Sequence, residues 1–345
     1  MPHPLNPVLV NGRFGDPALY LGFKHEKRAL LIDAGDLTSL RASQLRIISD
    51  LFISHTHMDH FVGFDHLLKS QLDLDKELRI YGPTGIIDKV GHKLAAYSWN
   101  LDAPKSSALR IIVMEINSGD SARRTHFAIQ DRFERGNIKR LALDDSRLLE
   151  DHDVIVDCAL LDHKLPCLAF AIREQASWHI DDSKLAALDL PGGPWLFRLK
   201  EALRQQLPPD TSILIDESRG ACRLGDLVDA VIVANPGRKI CYVTDCQFND
   251  WNAAQIEKLA DHADVLFIEA KFAASDSALA HSRYHLTTAQ AGRLAASAGA
   301  ISIEPFHFSR RYRGQERRML REVESAYHDR KFQRCEQQEV RKERQ

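Results

Sequence analysis

Four metal-capable side chains, His55, His57, Asp59 and His60, fall within six positions of the stretch Ser54-His55-Thr56-His57-Met58-Asp59-His60. Imidazole and carboxylate are donors that suit zinc and the neighbouring first-row ions. The tract follows a short apolar run, Leu51-Phe52-Ile53, and opens into Phe61-Val62-Gly63-Phe64. If that run is a buried strand, His55 and His57 point to one ion from its end, and Asp59 and His60 reach a second from the turn beyond. A histidine tag would sit at a terminus and lack the hydrophobic strand. One such tract cannot close two metal sites, so other segments must supply the remaining donors.

Donors recur after apolar runs. His163 ends Val154–Leu161 and stands in a turn before Pro166. Asp245 ends the run from Lys239, and His307 ends the run from Ala300. Glu269 closes Val265–Ile268, and His285 lies just before a helical stretch from Ala289 to Ala298, with Thr287 or Thr288 as its N-cap. Asp33, after Ala29–Ile32, is either a turn residue or an acid that orients a metal-bound histidine. Strands alternating with helices would gather these groups on one rim of a layered α/β fold. One ion would then take His55, His57 and His163, the other Asp59, His60 and His307, with Asp245 bridging both. Two divalent ions about 3.5–4 Å apart activate a shared water and clamp attacking and leaving oxygens. That chemistry fits hydrolysis of a phosphodiester or another polarised ester or amide. His285 is not needed as a ligand and is free to act as general acid or to bind phosphate, with Glu269 to orient it.

The elements that must position these groups come from a chain of 345 residues, long enough for one large domain or two ordinary ones. The formal net charge of -2 argues against nucleic-acid binding by bulk charge alone. Six cysteines without a close CxxC pair suggest a reduced, cytoplasmic chain rather than a disulfide framework. The first residues show no signal-peptide pattern, and no apolar run reaches a membrane-span length. No Walker lysine motif, GxGxxG fingerprint, GxSxG elbow or solenoid repeat is present. Arg123 to Arg140 reads as charged, exposed hairpins. From Glu174 to Pro209 the pattern changes to two helices, Asp181–Leu190 and Leu196–Gln206, around Pro191-Gly192-Gly193-Pro194-Trp195. This is an inserted arm, about residues 174–209. The hydrolase domain spans residues 1–327, and the charged tail 328–345 is expected to be disordered.

The tract His55-x-His57-x-Asp59-His60 with His163, Asp245 and His307 resembles the metallo-β-lactamase superfamily. Within it, several stretches are similar to ribonuclease Z, the tRNA 3′-processing endonuclease family: Ser54–Leu67, Tyr81-Gly82-Pro83, Asp182–Lys200 with its Pro-Gly-Gly-Pro-Trp segment, Glu269-Ala270 and His307-Phe308-Ser309-Arg310-Arg311-Tyr312. The resemblance implies a four-layer αββα sandwich and a two-metal hydrolase, with zinc as the expected ion and manganese or iron as alternatives. It implies seven metal ligands, His55, His57, Asp59, His60, His163, Asp245 and His307. It makes His285, Asp59 and Glu269 catalytic, and places Ser309 and Arg311 against phosphate. It implies precursor tRNA as substrate, trimmed to a 3′-hydroxyl, and a homodimer. The alternatives are a small or cyclic-nucleotide phosphodiester substrate, or a catalytically weak nucleic-acid-binding or scaffold protein. The chain departs from the family pattern where Ile268 and Lys271 flank Glu269-Ala270 in place of histidine and threonine, and where Leu286 follows His285. The arm pairs Arg198, Lys200 and Arg204 with Asp181, Asp182, Asp189 and Glu201, without a basic excess.

Overall fold

The computed structural model describes residues 5–24, 26–99, 108–235 and 237–342. The first half of the chain builds an eight-stranded sheet whose strands lie in sequence order. These are β1 (Leu5–Leu9), β2 (Leu19–Phe23), β3 (Ala29–Ile32), β4 (Ile48–Phe52), β5 (Glu77–Pro83), β6 (Arg110–Ser118), β7 (Ser121–Ala128) and β8 (Lys139–Ala142). Neighbours from β3 to β6 pair parallel. The crossovers this requires carry the helices α1 (Ala42–Arg46), α2 (Met58–Phe61), α3 (Phe64–Gln71) and α4 (Ile86–Ala95). The stretch expected to form exposed hairpins, Arg123 to Arg140, supplies most of β7 and the start of the edge strand β8, which pair antiparallel. Buried side chains alternate along β7, and β8 is largely exposed, as suits the rim of a sheet.

The second sheet begins with β9 (Arg147–Glu150), β10 (Val154–Asp162) and β11 (Pro166–Glu174). The chain then leaves it to form a separate compact unit, residues 175–237. That unit holds β12 (Ser177–Ile180), α5 (Asp182–Ala187), α6 (Pro194–Arg204), β13 (Ser212–Asp216), β14 (Gly220–Arg223), α7 (Leu224–Val231) and β15 (Ile232–Asn235). The insertion is therefore longer than the helical arm read from sequence: it continues through two antiparallel strand pairs and a third helix. Its own core explains why it coheres. Trp195 is fully buried against Leu199, Ile213, Leu224 and Val231, and its indole N–H donates to the Pro191 carbonyl at 2.7 Å. Pro194 opens α6 at a position where a missing N–H costs nothing.

The chain then completes the second sheet with β16 (Lys239–Val243), β17 (Val265–Glu269) and β18 (Ser302–Phe306), in the order β18-β17-β16-β11-β10-β9. Between these strands run α8 (Asp250–Leu259), α9 (Ser277–Ser282) and α10 (Thr288–Ala298), and α11 (Glu316–Lys342) follows. Thr287 caps α10 in a reciprocal box with Gln290. The tail expected to be disordered is helical through Lys342. No glycine or proline follows Gly314, and Glu, Gln, Arg and Lys propagate a helix that α11 has already nucleated by packing.

Alternation along the strands sets the layers. Leu30, Ile32 and Phe52 of the first sheet meet Val156, Leu168, Phe170, Ile240 and Tyr242 of the second in one central core. The opposite face of the first sheet, including Leu31, Leu51 and Ile80, packs on Leu67, Val90 and Leu94 of α3 and α4. The opposite face of the second, including Cys167, Ala169 and Cys241, packs on Ile256, Leu294 and Val323 of α8, α10 and α11. The result is helix, sheet, sheet, helix, the expected αββα sandwich. Burial on both faces is why β11 and β16 read as apolar runs, whereas Asp157 interrupts β10 and pairs with Arg147 and Arg173. Among the described residues no helix is long and apolar enough to cross a membrane.

Candidate metal centre

The donors sit where strands end. Asp33, Asp245 and His307 leave β3, β16 and β18 with left-handed backbones, at φ of 57°, 42° and 58°. A non-glycine residue in that region is held there by its surroundings. The Ser54–His57 segment leaves β4, and α2 carries Asp59 and His60. His163 occupies the tight turn joining β10 to β11. Adjacent strands in the second sheet bring β16, β17 and β18 into parallel register, so Asp245, Glu269 and His307 share one rim.

Three groups of donors form there. His55, His57, His163 and Asp245 make one, Asp59, His60 and His307 a second, and Asp245, Glu269 and His285 a third that shares Asp245 with the first. Asp245 lies between the first two. Its Oδ2 is 3.5 Å from His55 Nε2, 3.4 Å from His163 Nε2 and 3.6 Å from His60 Nε2. Its Oδ1 is 2.7 Å from His307 Nδ1. His55 Nε2 and His57 Nδ1 are 2.9 Å apart. His307 Nε2 is 3.4 Å from Asp59 Oδ2. This is the division read from the sequence, with Asp245 as the shared carboxylate.

A layer of hydrogen bonds holds the imidazoles. Asp33 Oδ2 takes His60 Nδ1 at 2.8 Å, the Ser54 hydroxyl at 2.8 Å and the Tyr242 hydroxyl at 2.9 Å, while Asp33 Oδ1 accepts from Ser54 N–H. Asp33 is thus the orienting acid, the second of its two readings. His163 Nδ1 donates to the Tyr284 carbonyl at 2.7 Å. Such bonds fix the ring orientation and leave the opposite nitrogen for the centre. Nothing in the sequence marks Tyr284, because its carbonyl is the group used. Tyr242 is the one hydroxyl within β16.

The electrostatics fit a cation site. Burial and the neighbouring His60 depress His55 to about 2, so it stays neutral, the form that binds metal. Burial and His163 also lower His57. Burial alone would lower His60, but Asp245 and Asp33 overcome it and raise it to about 10. Burial works to raise Asp59, yet its hydrogen bond to His307 and the charge of His60 hold it below the usual carboxylate range. His60 Nε2 and His307 Nδ1 are buried and make no well-formed hydrogen bond, and the group facing both is the Asp245 carboxylate. Buried nitrogens turned on a shared carboxylate in this way are costly unless a cation meets them. The donor set is nitrogen and oxygen only, which suits zinc, manganese or iron. These residues therefore fit two divalent ions.

His285 stands beside the centre, with its ring centroid 4.9 Å from that of His163. Its Nδ1 bonds Glu269 Oε2 at 2.9 Å. Glu269 is fully buried, and its Oε1 also accepts from the N–H groups of Cys246 and Leu286. Burial would lower His285, but the Glu269 charge and hydrogen bond raise it. Ser309 lies at the rim, its N–H donating to the Lys271 carbonyl at 2.9 Å. Arg311 is turned elsewhere: its guanidinium lies 5.8 Å over the Phe272 ring and 4.0 Å from Asp276. Sequence reasoning noted Lys271 only as a departure. In the structure its ammonium reaches into the second group, 2.8 Å from His307 Nε2.

The comparisons with known proteins agree with this geometry. A ribonuclease Z from Deinococcus radiodurans is 31% identical over 303 residues, which is 86% of this chain and 88% of that protein. The chain belongs to the ribonuclease Z family. A ribonuclease Z from Microcystis aeruginosa is also 31% identical, over 82% of this chain and 76% of the relative. The Beta-lactamase superfamily domain matches residues 219–308. Among solved structures, human tRNase Z, short form, has a TM-score of 0.52 at 18% identity and covers 90% of this chain and 93% of its own. The metallo-β-lactamase-fold protein YhfI from Bacillus subtilis gives 0.53 at 16% identity, with 94% of both chains covered. These two likenesses establish the metallo-β-lactamase fold. Family and fold together make the protein a metal-dependent hydrolase.

Proposed function

We propose that the protein is a di-zinc phosphodiesterase that removes the 3′ trailer from precursor tRNA and leaves a 3′-hydroxyl. The observation that carries this reading is the meeting of two donor groups at one carboxylate, Asp245, with buried nitrogens of His60 and His307 turned toward it. His55, His57 and His163 would hold one ion, Asp59, His60 and His307 the other, and Asp245 both. Bound there, the ions supply an activated water at neutral pH and compensate charge on the phosphate.

The chain's own residues do the rest. A new bond from the water oxygen to phosphorus replaces the bond to the tRNA O3′, so the phosphate leaves on the trailer. The O3′ needs a proton, and His285 is placed to donate it. Its Nδ1 is committed to Glu269, which leaves Nε2 for the leaving group. Glu269 holds the ring and favours its protonated form. Asp59, the most exposed donor of its group, would hold an ion and meet the attacking water from the solvent side. Ser309, at the same rim, would bind the phosphate through its hydroxyl.

The test is to purify the protein, measure metal per chain, and assay precursor tRNA beside bis-p-nitrophenyl phosphate and cyclic AMP, with Asp245→Ala as the blank. Trailer removal abolished in Asp245→Ala is the expected result. Hydrolysis of the chromogenic diester or cyclic AMP without tRNA cleavage would replace the substrate by a small phosphodiester. Absence of bound metal or of any hydrolysis would favour a binding protein instead. The small-diester reading draws on the unit at 175–237, where acidic residues outnumber basic ones.

A further inference from the structure

We propose that Lys271 is a substrate-binding residue whose ammonium takes a non-bridging oxygen of the phosphodiester, a deepening of the phosphodiesterase reading on which it rests. Lys271 lies two residues beyond Glu269, where β17 has ended, so it emerges on the rim that carries Asp245 and His307. Its backbone is fixed there, because its carbonyl accepts from the Ser309 N–H at 2.9 Å. Its half-buried side chain runs inward, and Nζ stops 2.8 Å from His307 Nε2.

The partner is the telling feature. His307 Nε2 lies 2.8 Å from Nζ and 3.4 Å from Asp59 Oδ2, and a single ring nitrogen engages at most one of three ammonium donors. No ion pair within 4.0 Å ties Nζ to a carboxylate among the described residues. By contrast, Arg13, Arg28, Arg79, Arg123 and Arg173 are all matched to acids. A half-buried cation with unused donors beside a cation site is poorly placed for stability. It is well placed for an anion that arrives with the substrate. A phosphate oxygen accepts charge-assisted bonds from an ammonium, and lysine's flexible stem allows Nζ to turn from His307 to meet it. Arg311, in the loop that follows His307, is occupied with Phe272 and Asp276.

A merely structural lysine would orient His307 instead, and the two roles separate experimentally. Inorganic phosphate binding is measured by calorimetry on metal-loaded wild type, Lys271→Met and Lys271→Arg, with metal per chain determined on each. The expected result is metal content unchanged, phosphate binding weakened roughly 10- to 100-fold in Lys271→Met, and partial recovery in Lys271→Arg. The same loss should appear in KM for bis-p-nitrophenyl phosphate, with kcat less affected. Equal phosphate affinity in wild type and Lys271→Met overturns the proposal while leaving the phosphodiesterase reading intact. So does loss of metal from Lys271→Met, which would assign the lysine to His307. A metal-loaded wild type that neither binds phosphate nor cleaves the diester overturns both.

Discussion

Glu269 Oε2 and His285 Nδ1 are 2.9 Å apart, and the carboxylate that makes this bond is fully buried. The pair aims one imidazole nitrogen away from the sheet, beside the donors of the two metal groups. In the proposed reaction that nitrogen donates a proton, so His285→Ala should lower kcat by about 10²- to 10⁴-fold with metal content retained. The sign of the pH effect follows from the raised pKa of His285. An acid that must be protonated loses activity as pH rises through its pKa. Glu269→Gln removes the charge that raises it, so the alkaline limb of the rate profile should move to lower pH. An unmoved limb, or full activity in His285→Ala, would reject the assigned role.

Asp33 makes the comparable bond to His60, and it gathers Ser54 and Tyr242 as well. Asp33→Asn, which keeps much of the shape but not the charge, should weaken metal binding by about 10- to 100-fold. Asp33→Ala leaves several buried donors unpaired and should cost about 3–5 kcal/mol of stability. Equilibrium unfolding and metal titration read the two effects separately. Chelation of the wild type should lower its melting temperature, and restoring zinc should recover it, because ions that bind only the folded state stabilise it. A melting temperature indifferent to both would show that the donor groups hold no ion.

The ligands were legible because each follows an apolar run, and a residue ending a buried strand has few directions in which to point. His163, Asp245 and His307 carry that signature as clearly as the opening tract. Asp33 was readable only as one of two possibilities, since a turn acid and an orienting acid look alike until Tyr242 and Ser54 are placed around it. Tyr284 was not readable, because it serves through its carbonyl. Lys271 stood out as a departure from a family pattern, but its direction depends on a tertiary neighbour 36 positions away. The insertion reads as short because β13 and β14 are strands of five and four residues, and Leu214 stands exposed between the buried Ile213 and Ile215, so hydropathy does not follow the alternating burial. The charged composition of the tail suggests disorder, whereas the structure continues it as part of α11, a helix anchored by its packing on α10.

That anchor depends on one glycine. α10 and α11 approach so closely that a Cβ at Gly292 would meet Ala326 Cβ and Tyr327 N at 3.0 Å, and would press harder still on the Val323 carbonyl. Backbone cannot yield as a side chain can. Gly292→Ala would raise helix propensity in an isolated peptide, yet here it should destabilise by about 1–3 kcal/mol through overpacking. Denaturant unfolding checks the sign: a stabilised variant would mean that the two helices are not held at this distance.

The unit at 175–237 leads to a prediction about salt. Several of its cations are already engaged within the unit. Arg219 pairs with Asp189 at 3.0 Å and Asp216 at 3.3 Å, Arg223 pairs with Asp210, and Arg204 lies 3.8 Å from Glu201. Arg198 donates to the Leu214 carbonyl at 2.5 Å. Each phosphate neutralised by a protein cation steepens the fall of log K with log salt by about 0.7 to 0.9. If those pairs persist on binding, the unit has little to offer beyond Lys184 and Lys200. Lys200→Ala should then flatten the slope for precursor tRNA by about 1 or less, and Arg219→Ala and Arg223→Ala should leave it unchanged. Nucleic-acid affinity measured from low to moderate salt decides this. Slopes that drop by about one with each arginine would show that the pairs open and that the unit grips phosphate. Flat responses throughout would locate the contacts that recognise RNA on the αββα domain, where Lys271 meets the metal centre.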